Sequence, residues 1–381
     1  MNILIAPDKF KDALDAEAVA DALAEGSRAT CPEAHVVRCP LGDGGEGTGR
    51  LLAKAIGAAC RETEVLDPLG RPRAARWWFD QNDRRAIVEM AEASGIWLLQ
   101  PDQRDALSTA SYGTGQLIRA AVDVGCRKIT LCVGGSATVD GGAGCLQGLG
   151  WRLIDAKGGL ISTPMSGGRL TEIARIEPPD NTPSLEIEIL CDVTNPLLGP
   201  DGAAPVFAPQ KGASTEQVHQ LEAGLQHWAD VLADYGSPDL TNTPGVGAAG
   251  GLPFGLISVV GARIVRGIDR VVETLDLREK VAASDIVFTG EGRLDAQTAS
   301  GKTVAGVVRL AAEFDKPTTA FVGAAPLGDG QSLKSLATSL GLRDIVVVAS
   351  PGTSLEDALR GTRANLTRAA RDYVAGLRGM T

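Results

Sequence analysis

The sequence predicts an α/β protein of two domains. One is a doubly wound, parallel-sheet domain formed by both chain ends. The other is an inserted mixed α/β domain, with a cleft between the two. Three observations carry this expectation. Short apolar runs alternate with helical periodicity at both ends of the chain, the signature of parallel strands with helices on both faces. Hairpin-like runs interrupt that rhythm in the middle. The length, 381 residues, exceeds what one small core needs and allows two domains.

The elements follow in order. Asn2–Ala6 reads as a strand that ends at Pro7, and helical periodicity covers Asp15–Ser27. His35–Cys39 is the next strand, followed by the glycine-rich 42–49 and a helix from Arg50 to Ile56. Thr63–Leu66 and Ala75–Phe79 flank Asp67-Pro68-Leu69-Gly70-Arg71-Pro72 and read as a hairpin. Ala86–Met90 is a short strand. Alternation returns with a helix over Thr109–Val124, a strand over Lys128–Val133, a glycine-rich turn, and a helix over Ala143–Leu149. A second hairpin is expected over Trp151–Ile161, around Lys157-Gly158-Gly159. Leu185–Leu190 is a strand and Thr215–Tyr235 a helix. Pro244–Gly255 reads as a long loop. Beyond it, strands are expected at Asp285–Thr289, Thr318–Val322 and Asp344–Val348. The matching helices are Lys302–Glu313, Leu333–Leu340 and Leu355–Leu377. The domains this implies are 1–62 with 256–381, and 63–255.

Composition excludes several classes of function. Apolar residues make up 44% and charged residues 22%, with a net charge of −10, which is a soluble globular composition. That charge argues against a nucleic-acid or anionic membrane partner. Aromatics are only 4%, too few for a base-stacking platform. The seven cysteines are odd in number and none is spaced C-x-x-C. They read as buried thiols of a reducing cytosol. Three histidines make a zinc hydrolase or a serine–histidine triad hard to build. The first residues lack a basic n-region and read as a strand, not a leader. No apolar run has the length of a membrane span.

In open α/β sheets, ligands bind beyond the carboxyl ends of the strands. Polar, glycine-rich segments follow five of the predicted strands. After Pro7 come Asp8, Lys9 and Lys11. After Pro40 comes Gly42 to Thr48, with Asp43 and Glu46. After Val133 come Gly134, Gly135, Ser136, Ala137, Thr138 and Asp140. After Cys191 comes Asp192-Val193-Thr194-Asn195-Pro196. After Thr289 come Gly290, Glu291, Arg293 and Asp295. Asp285 and Asp344 precede their strands and read as structural. Any βα unit needs a glycine turn, but five glycine–carboxylate turns at one edge favour a site. The 134–144 turn leads into a helix start, where amides and the helix dipole suit an anion. The acids would repel one another unless a cation such as Mg²⁺ offset them. One could accept a hydroxyl proton during phosphoryl transfer. Helix capping rivals that reading for Asp43 and Asp140, and less so for Asp192. The available cations are Lys9, Lys11, Lys211, Arg293 and Lys302. Residues 296–303 form a P-loop-like pattern without its first glycine, set several residues beyond the strand, so that match fails.

Taken together, several segments resemble one family. They are Ala6-Pro7-Asp8-Lys9-Phe10-Lys11, Asp43-Gly44-Gly45-Glu46-Gly47-Thr48, and Gly134-Gly135-Ser136-Ala137-Thr138 with Asp140-Gly141-Gly142-Ala143-Gly144. The others are Cys191 to Leu197, Pro209-Gln210-Lys211-Gly212-Ala213, Pro244-Gly245 with Gly247 to Gly251, and Thr289 to Asp295 with Gln297 and Gly301-Lys302-Thr303. Their order and spacing resemble the bacterial glycerate kinase family of the glyoxylate and glucarate pathways, from about residue 2 to beyond 350. Asp12 and Asp15 depart from the family pattern, which has small or hydroxyl residues there.

The resemblance implies ATP- and Mg²⁺-dependent phosphorylation of D-glycerate, with 2-phosphoglycerate as the usual product. It also implies one Rossmann-like domain, here the chain ends, and one flavodoxin-like domain, here the insert. Together with the residues it nominates Asp192 as base and Asp295 as its alternative, with Lys9 and Arg293 countering negative charge. Asp8, Lys11, Asp43, Glu46, Gly247 and Gly250 are expected at the substrate. Gly134, Gly135, Ser136, Ala137, Thr138, Asp140, Gly290, Glu291 and Lys302 are expected at nucleotide phosphate, and Asp43 and Glu291 at the metal. A cytoplasmic monomer or homodimer is expected, with no nucleic-acid or membrane partner. The rival readings are a P-loop-like ATPase using Lys302 and Thr303, and a non-catalytic small-anion sensor.

Overall fold

The structure, a computed structural model, describes residues 1–42, 44–180, 184–294, 303–325, 332–350 and 352–378. Among these, no helix is long and apolar enough to cross a membrane. In chain order the strands are β1 (Asn2–Ile5), β2 (His35–Arg38), β3 (Ala59–Leu66), β4 (Pro72–Asp80), β5 (Arg85–Glu89), β6 (Lys128–Cys132) and β7 (Arg152–Ile154). They continue with β8 (Arg175–Glu177), β9 (Glu186–Leu190), β10 (Arg263–Val265), β11 (Ile286–Arg293), β12 (Thr318–Ala324) and β13 (Asp344–Val347). The chain divides into two compact units, Met1–Asp43 with Ile268–Thr381, and Gly44–Gly267.

The terminal unit holds a five-stranded sheet in the order β13-β12-β11-β1-β2, parallel throughout. Counted within the unit, this is the 2-1-3-4-5 order of flavodoxin-like doubly wound sheets, the order expected of the insert and not of the chain ends, because β1 is followed outward by β2 and inward by β11. Side chains alternate between the two faces, as strand period requires. On one face Ile3, Ile5, Phe288 and Phe321 pack with Val19 and Leu23 of the helix Ala16–Thr30. Leu366 and Val374 of the helix Thr362–Arg378 close that core. Phe288, Phe321 and Tyr373 form an edge-on aromatic trio, with centroids 5.1 to 5.8 Å apart. On the other face Ala320 and Val322 pack with Val304 and Val308 of the helix Thr303–Ala312. Asp15 caps Ala16–Thr30, accepting from the Ala18 amide at 2.8 Å, and Asp12 sits at φ 62°. These two departures from the family pattern are thus helix-entry residues. The helix expected over Leu355–Leu377 is two helices, Leu355–Arg360 and Thr362–Arg378, with Gly361 as the C-cap of the first.

The inserted unit holds a six-stranded mixed sheet, β10-β9-β6-β5-β4-β3. Four strands are parallel, and β4 and β3 extend the sheet antiparallel as a hairpin. Asp67 fixes the hairpin turn. It accepts from the Leu69 and Arg71 amides, each at 2.9 Å, and from the Arg71 guanidinium at 2.6 Å. The helix Thr215–Tyr235 begins with a Ser214–Gln217 capping box and buries Trp228. The second expected hairpin is only partly formed. β7 meets Leu160 in a single bridge, and its ladder partner is β8.

The units divide at 43/44 and 267/268, not at 62/63 and 255/256. The helix Thr48–Ala55 belongs to the insert because buried Glu89, at the end of β5, accepts from the Gly47 and Arg50 amides at 3.1 and 3.0 Å. Residues 256–265 belong there because β10 pairs with β9. The expected loop 244–255 is shorter than foreseen. A helix runs over Ala248–Val260, entered through left-handed Ala249, Gly250 and Gly251.

Candidate active site

Five segments of the inserted unit converge at the carboxyl ends of its parallel strands. The turn after β6 packs against the 44–47 loop so tightly that a Cβ on Gly134 would lie 2.3 Å from Gly45 Cα. Ile96 of the segment after β5 donates its amide to the Gly135 carbonyl at 2.8 Å. The turn after β9 reaches the 245–251 segment, where the Gly247 amide donates to the Asn195 carbonyl at 3.0 Å. Gly250 closes on the β6 turn: a Cβ there would lie 2.0 Å from the Thr138 carbonyl oxygen, and its own carbonyl accepts from Gly141 at 3.0 Å. Gly135 is exposed and Ser136 half-buried, while Ala137, Thr138 and Asp140 are buried. The outward part of the turn is therefore 134–136.

Beneath that turn lies a buried polar network. Asp140 is fully buried and accepts from the Ser111 amide and hydroxyl, both at 2.7 Å, and from the Gly142 amide at 3.1 Å. Burial pushes its carboxyl up, against the pull of those donors. Asp140 was expected to face phosphate; with its oxygens on Ser111 and Gly142, it instead organises the turn from below. Lys211 is also buried. Its ammonium donates to Ser136 Oγ at 2.8 Å and to the Thr138 carbonyl at 2.7 Å. Burial lowers it to about 7, partly offset by the Asp140 charge. Thr109 Oγ1 donates to the Ala137 carbonyl at 2.8 Å, and the Ala137 amide donates to the Ser94 carbonyl at 2.9 Å. The turn is thus held on both sides.

Asp192 follows β9 and is half-buried, with Val193 and Thr194 exposed beside it. The adjacent Cys191 thiol, pushed up to about 11 by burial, is unsuited to nucleophilic work. Glu46 is exposed on the 44–47 loop, which Glu89 anchors from inside. Burial raises the Glu89 carboxyl, opposed by the backbone amides it accepts from.

In the terminal unit, the loop after β1 lies against β11 at the point where the strand order reverses. Asp8 is buried. It accepts from the Lys9 amide at 2.7 Å and from Thr303 Oγ1 at 2.6 Å, and its amide donates to the Gly290 carbonyl at 2.8 Å. Asp8 therefore ties the β1 loop to the start of the helix Thr303–Ala312, where an acid also suits the helix dipole. Lys9 is half-buried and Lys11 exposed. Gly290-Glu291-Gly292-Arg293 is not the expected turn. β11 continues through it, with Glu291 opposite Val322 and Arg293 opposite Ala324. Glu291 and Arg293 consequently share one face of the strand; Glu291 is half-buried and Arg293 exposed. Asp285 and Asp344 bond to the Asn2 amide and the Tyr373 hydroxyl and are structural, as expected. Asp43, Asp295 and Lys302 lie outside the described residues. Thr303, the hydroxyl of the P-loop-like pattern, is committed to Asp8.

Among the described residues, no three His, Cys, Asp or Glu side chains group as a metal cage. A nucleotide-borne Mg²⁺ needs only one or two carboxylates besides phosphate, and Glu291 fits that smaller demand. Sequence reasoning missed Glu89 and Ser111 and counted Lys211 among the available cations without a specific role. An acid closing the apolar run Ala86-Ile87-Val88 was the one available signal for Glu89. Nothing local marks Ser111, whose partner Asp140 is far along the chain.

Known proteins share this sequence and fold. The profile of the glycerate kinase family matches residues 3–378. The chain is 39% identical over 380 residues to a glycerate 2-kinase of Escherichia coli (strain K12), covering 99% of this chain and 98% of that one. It is 38% identical over 381 residues to a glycerate kinase of Bacillus subtilis (strain 168), with 99% and 98% covered. A crystal structure described as glycerate kinase 2 from Salmonella typhimurium LT2 superposes with a TM-score of 0.83 at 40% identity, covering 100% of this chain and 98% of that one. With the family profile spanning nearly every residue and relatives matched over almost their whole length, the chain belongs to the glycerate kinase family.

Proposed function

We propose that this enzyme transfers the γ-phosphoryl group of ATP to the 2-hydroxyl of D-glycerate, giving 2-phosphoglycerate and ADP. The 3-hydroxyl is the less favoured acceptor. The observation that carries this reading is the near full-length likeness to curated glycerate kinases, one of them named a glycerate 2-kinase. The outward-facing Gly134–Ser136 turn, with Gly135 exposed, supports it, because its amides suit an anion.

Asp192 takes the hydroxyl proton as the acceptor oxygen bonds to phosphorus and the bond to the ADP oxygen breaks. Asp295 is the alternative base. Lys9 and Arg293 balance charge on the transferring group. Gly134, Gly135, Ser136 and Lys302 serve nucleotide phosphate, with Ala137, Thr138, Gly290 and Asp140, all buried, acting only through the backbone that holds the loops. Lys11, Glu46, Gly247 and Gly250 serve glycerate, and Asp8 fixes the loop bearing Lys9. Mg²⁺, when bound with the nucleotide, neutralises phosphate charge, and Asp43 and Glu291 are the carboxylates suited to hold it. The enzyme works in the cytoplasm as a monomer or homodimer. Incubation with ATP, Mg²⁺ and D-glycerate, followed by phosphorus NMR, tests the reading. A 2-phosphoglycerate signal is expected; a 3-phosphoglycerate signal overturns the regiochemistry, and ADP without phosphoglycerate overturns the acceptor.

A further inference from the structure

We propose that Lys211 is a positioning residue that, by donating to Ser136 Oγ, commits the Ser136 hydroxyl proton to the bound anion. The proposal rests on the reading of the 134–136 turn as an anion site. It starts from the inventory of donors. An ammonium has three donors and no acceptor, whereas a hydroxyl has one donor and two acceptor positions. The 2.8 Å contact between Lys211 Nζ and Ser136 Oγ therefore has one polarity while Lys211 is charged. Ser136 accepts, and its own proton points elsewhere. Ser136 is half-buried beside exposed Gly135, so the direction left to that proton is the outward side of the turn. The second Lys211 donor goes to the Thr138 carbonyl at 2.7 Å and fixes the ammonium in place.

Neutral Lys211 reverses this. An amine keeps donors for the Thr138 carbonyl but gains a lone pair, which accepts the Ser136 proton and withdraws it from the anion. The contact is thus a polarity switch set by one proton. Its surroundings are sparse in charge. Asp140 is the charged group that acts on the ammonium. The helix Ala203–Phe207 just before it has no titratable side chain. From the segment after the 101–103 turn, Arg104 meets the neighbouring Gly212 through its main chain. Burial brings the proton within reach of neutral pH.

The test is steady-state kinetics of the full chain at pH 6 to 9, with ATP and D-glycerate varied separately. Wild type, Ser136→Ala, Lys211→Met and the double variant are compared. In wild type the KM of one substrate should rise several-fold from pH 6 to pH 9, with a smaller change in kcat. Ser136→Ala should raise that KM about tenfold at pH 6 and abolish its pH dependence. The double variant should be no worse than Lys211→Met, since both remove the same donor. A Ser136→Ala enzyme that keeps the wild-type pH dependence overturns the proposal, and that arm needs no buried substitution. Additive losses in the double variant overturn it too. Gly135→Val separates this from the underlying reading. If it raises neither KM, the turn is not an anion site and both fall. If it raises one while Ser136→Ala does not, only the role of Lys211 falls.

Discussion

The two units solve the same problem with different materials. Among the described residues, the terminal unit buries one charged side chain, Asp8. Its strand-end loops are otherwise joined by main-chain bonds and by hydroxyls such as Thr289, which donates to the Ala6 carbonyl at 2.9 Å. The inserted unit buries Glu89, Asp140 and Lys211 at its strand ends, and Asp67, Glu92 and Glu188 elsewhere. Burying charge costs several kcal/mol per group unless hydrogen bonds and countercharges offset it. A unit that accepts that cost repeatedly at one edge is holding backbone there in a fixed shape. The difference teaches where pre-organisation is concentrated: under the 134–142 turn, and less so around the β1 loop.

Asp192→Asn against Glu291→Gln tests the contrast most severely. Loss of the proposed base should cut kcat by about 10²- to 10⁴-fold with an unchanged melting temperature, while Glu291→Gln, at the proposed metal carboxylate, should mainly raise the Mg²⁺–ATP requirement. Near-normal turnover of Asp192→Asn would remove the chemistry from the inserted unit. Next comes Asp140→Ala against Asp8→Ala in urea melts. Asp140→Ala strands two amides and a hydroxyl, at about 1–3 kcal/mol each, and should cost upward of about 3 kcal/mol. Asp8→Ala leaves one half-buried amide and one hydroxyl and should cost less. Equal losses would end the contrast.

Gly250→Ala puts a methyl against the Thr138 carbonyl at a left-handed residue and should cost on the order of 1–3 kcal/mol. It should also impair activity, because the strain falls on the turn. The pH dependence sharpens the same point. Lys211 has a folded value of about 7 against 10.5 when unfolded. Between those values the unfolded chain binds more protons, so stability rises with pH. The penalty is full below about pH 7 and gone above 10.5. Lys211→Met should flatten the rise in urea midpoint between pH 7 and 9; an unchanged slope would show that Lys211 is not its source. The smallest effect is expected at Asp15→Ala, about 1 kcal/mol for a lost helix cap, with kcat and KM unchanged.

The sequence makes the edges of this architecture readable and its joints less so. Alternation placed the helices Ala143–Leu149 and Thr215–Tyr235 and most strands to within a few residues, because their apolar faces repeat at helix or strand period. It failed at Gly290–Arg293, where the glycines read as a turn. In the fold, Gly290 lacks a side chain because β11 runs so close to β12 that a Cβ there would lie 2.1 Å from the Phe321 carbonyl oxygen, whereas a Cβ on Gly292 would meet Phe10 and the Lys11 amide at ordinary contact distance. It failed again at 244–255, where three left-handed residues lead into a helix, and at the 43/44 division, which depends on Glu89 gripping a helix start over 40 residues away in sequence. The five strand-end turns were legible as candidates because their residues are local. Which side chains face outward, and which are consumed beneath, depends on partners such as Ser111 and Lys211 that no local pattern announces.

The pairing of β1 has a consequence for how the protein is made. β1 lies between β2 and β11, and Ile3 stands beside Ile286. A ribosome adding about 5–20 residues per second reaches β11 only tens of seconds after β1 has emerged. Through that interval Ile3, Leu4 and Ile5 have one strand neighbour at most, and Leu23 waits for Leu366. The stretch Gly44–Gly267, complete in itself, can fold first. Newly made chains should therefore depend on a holdase through their opening forty residues, and a protease pulse during synthesis should cut there before it cuts the insert.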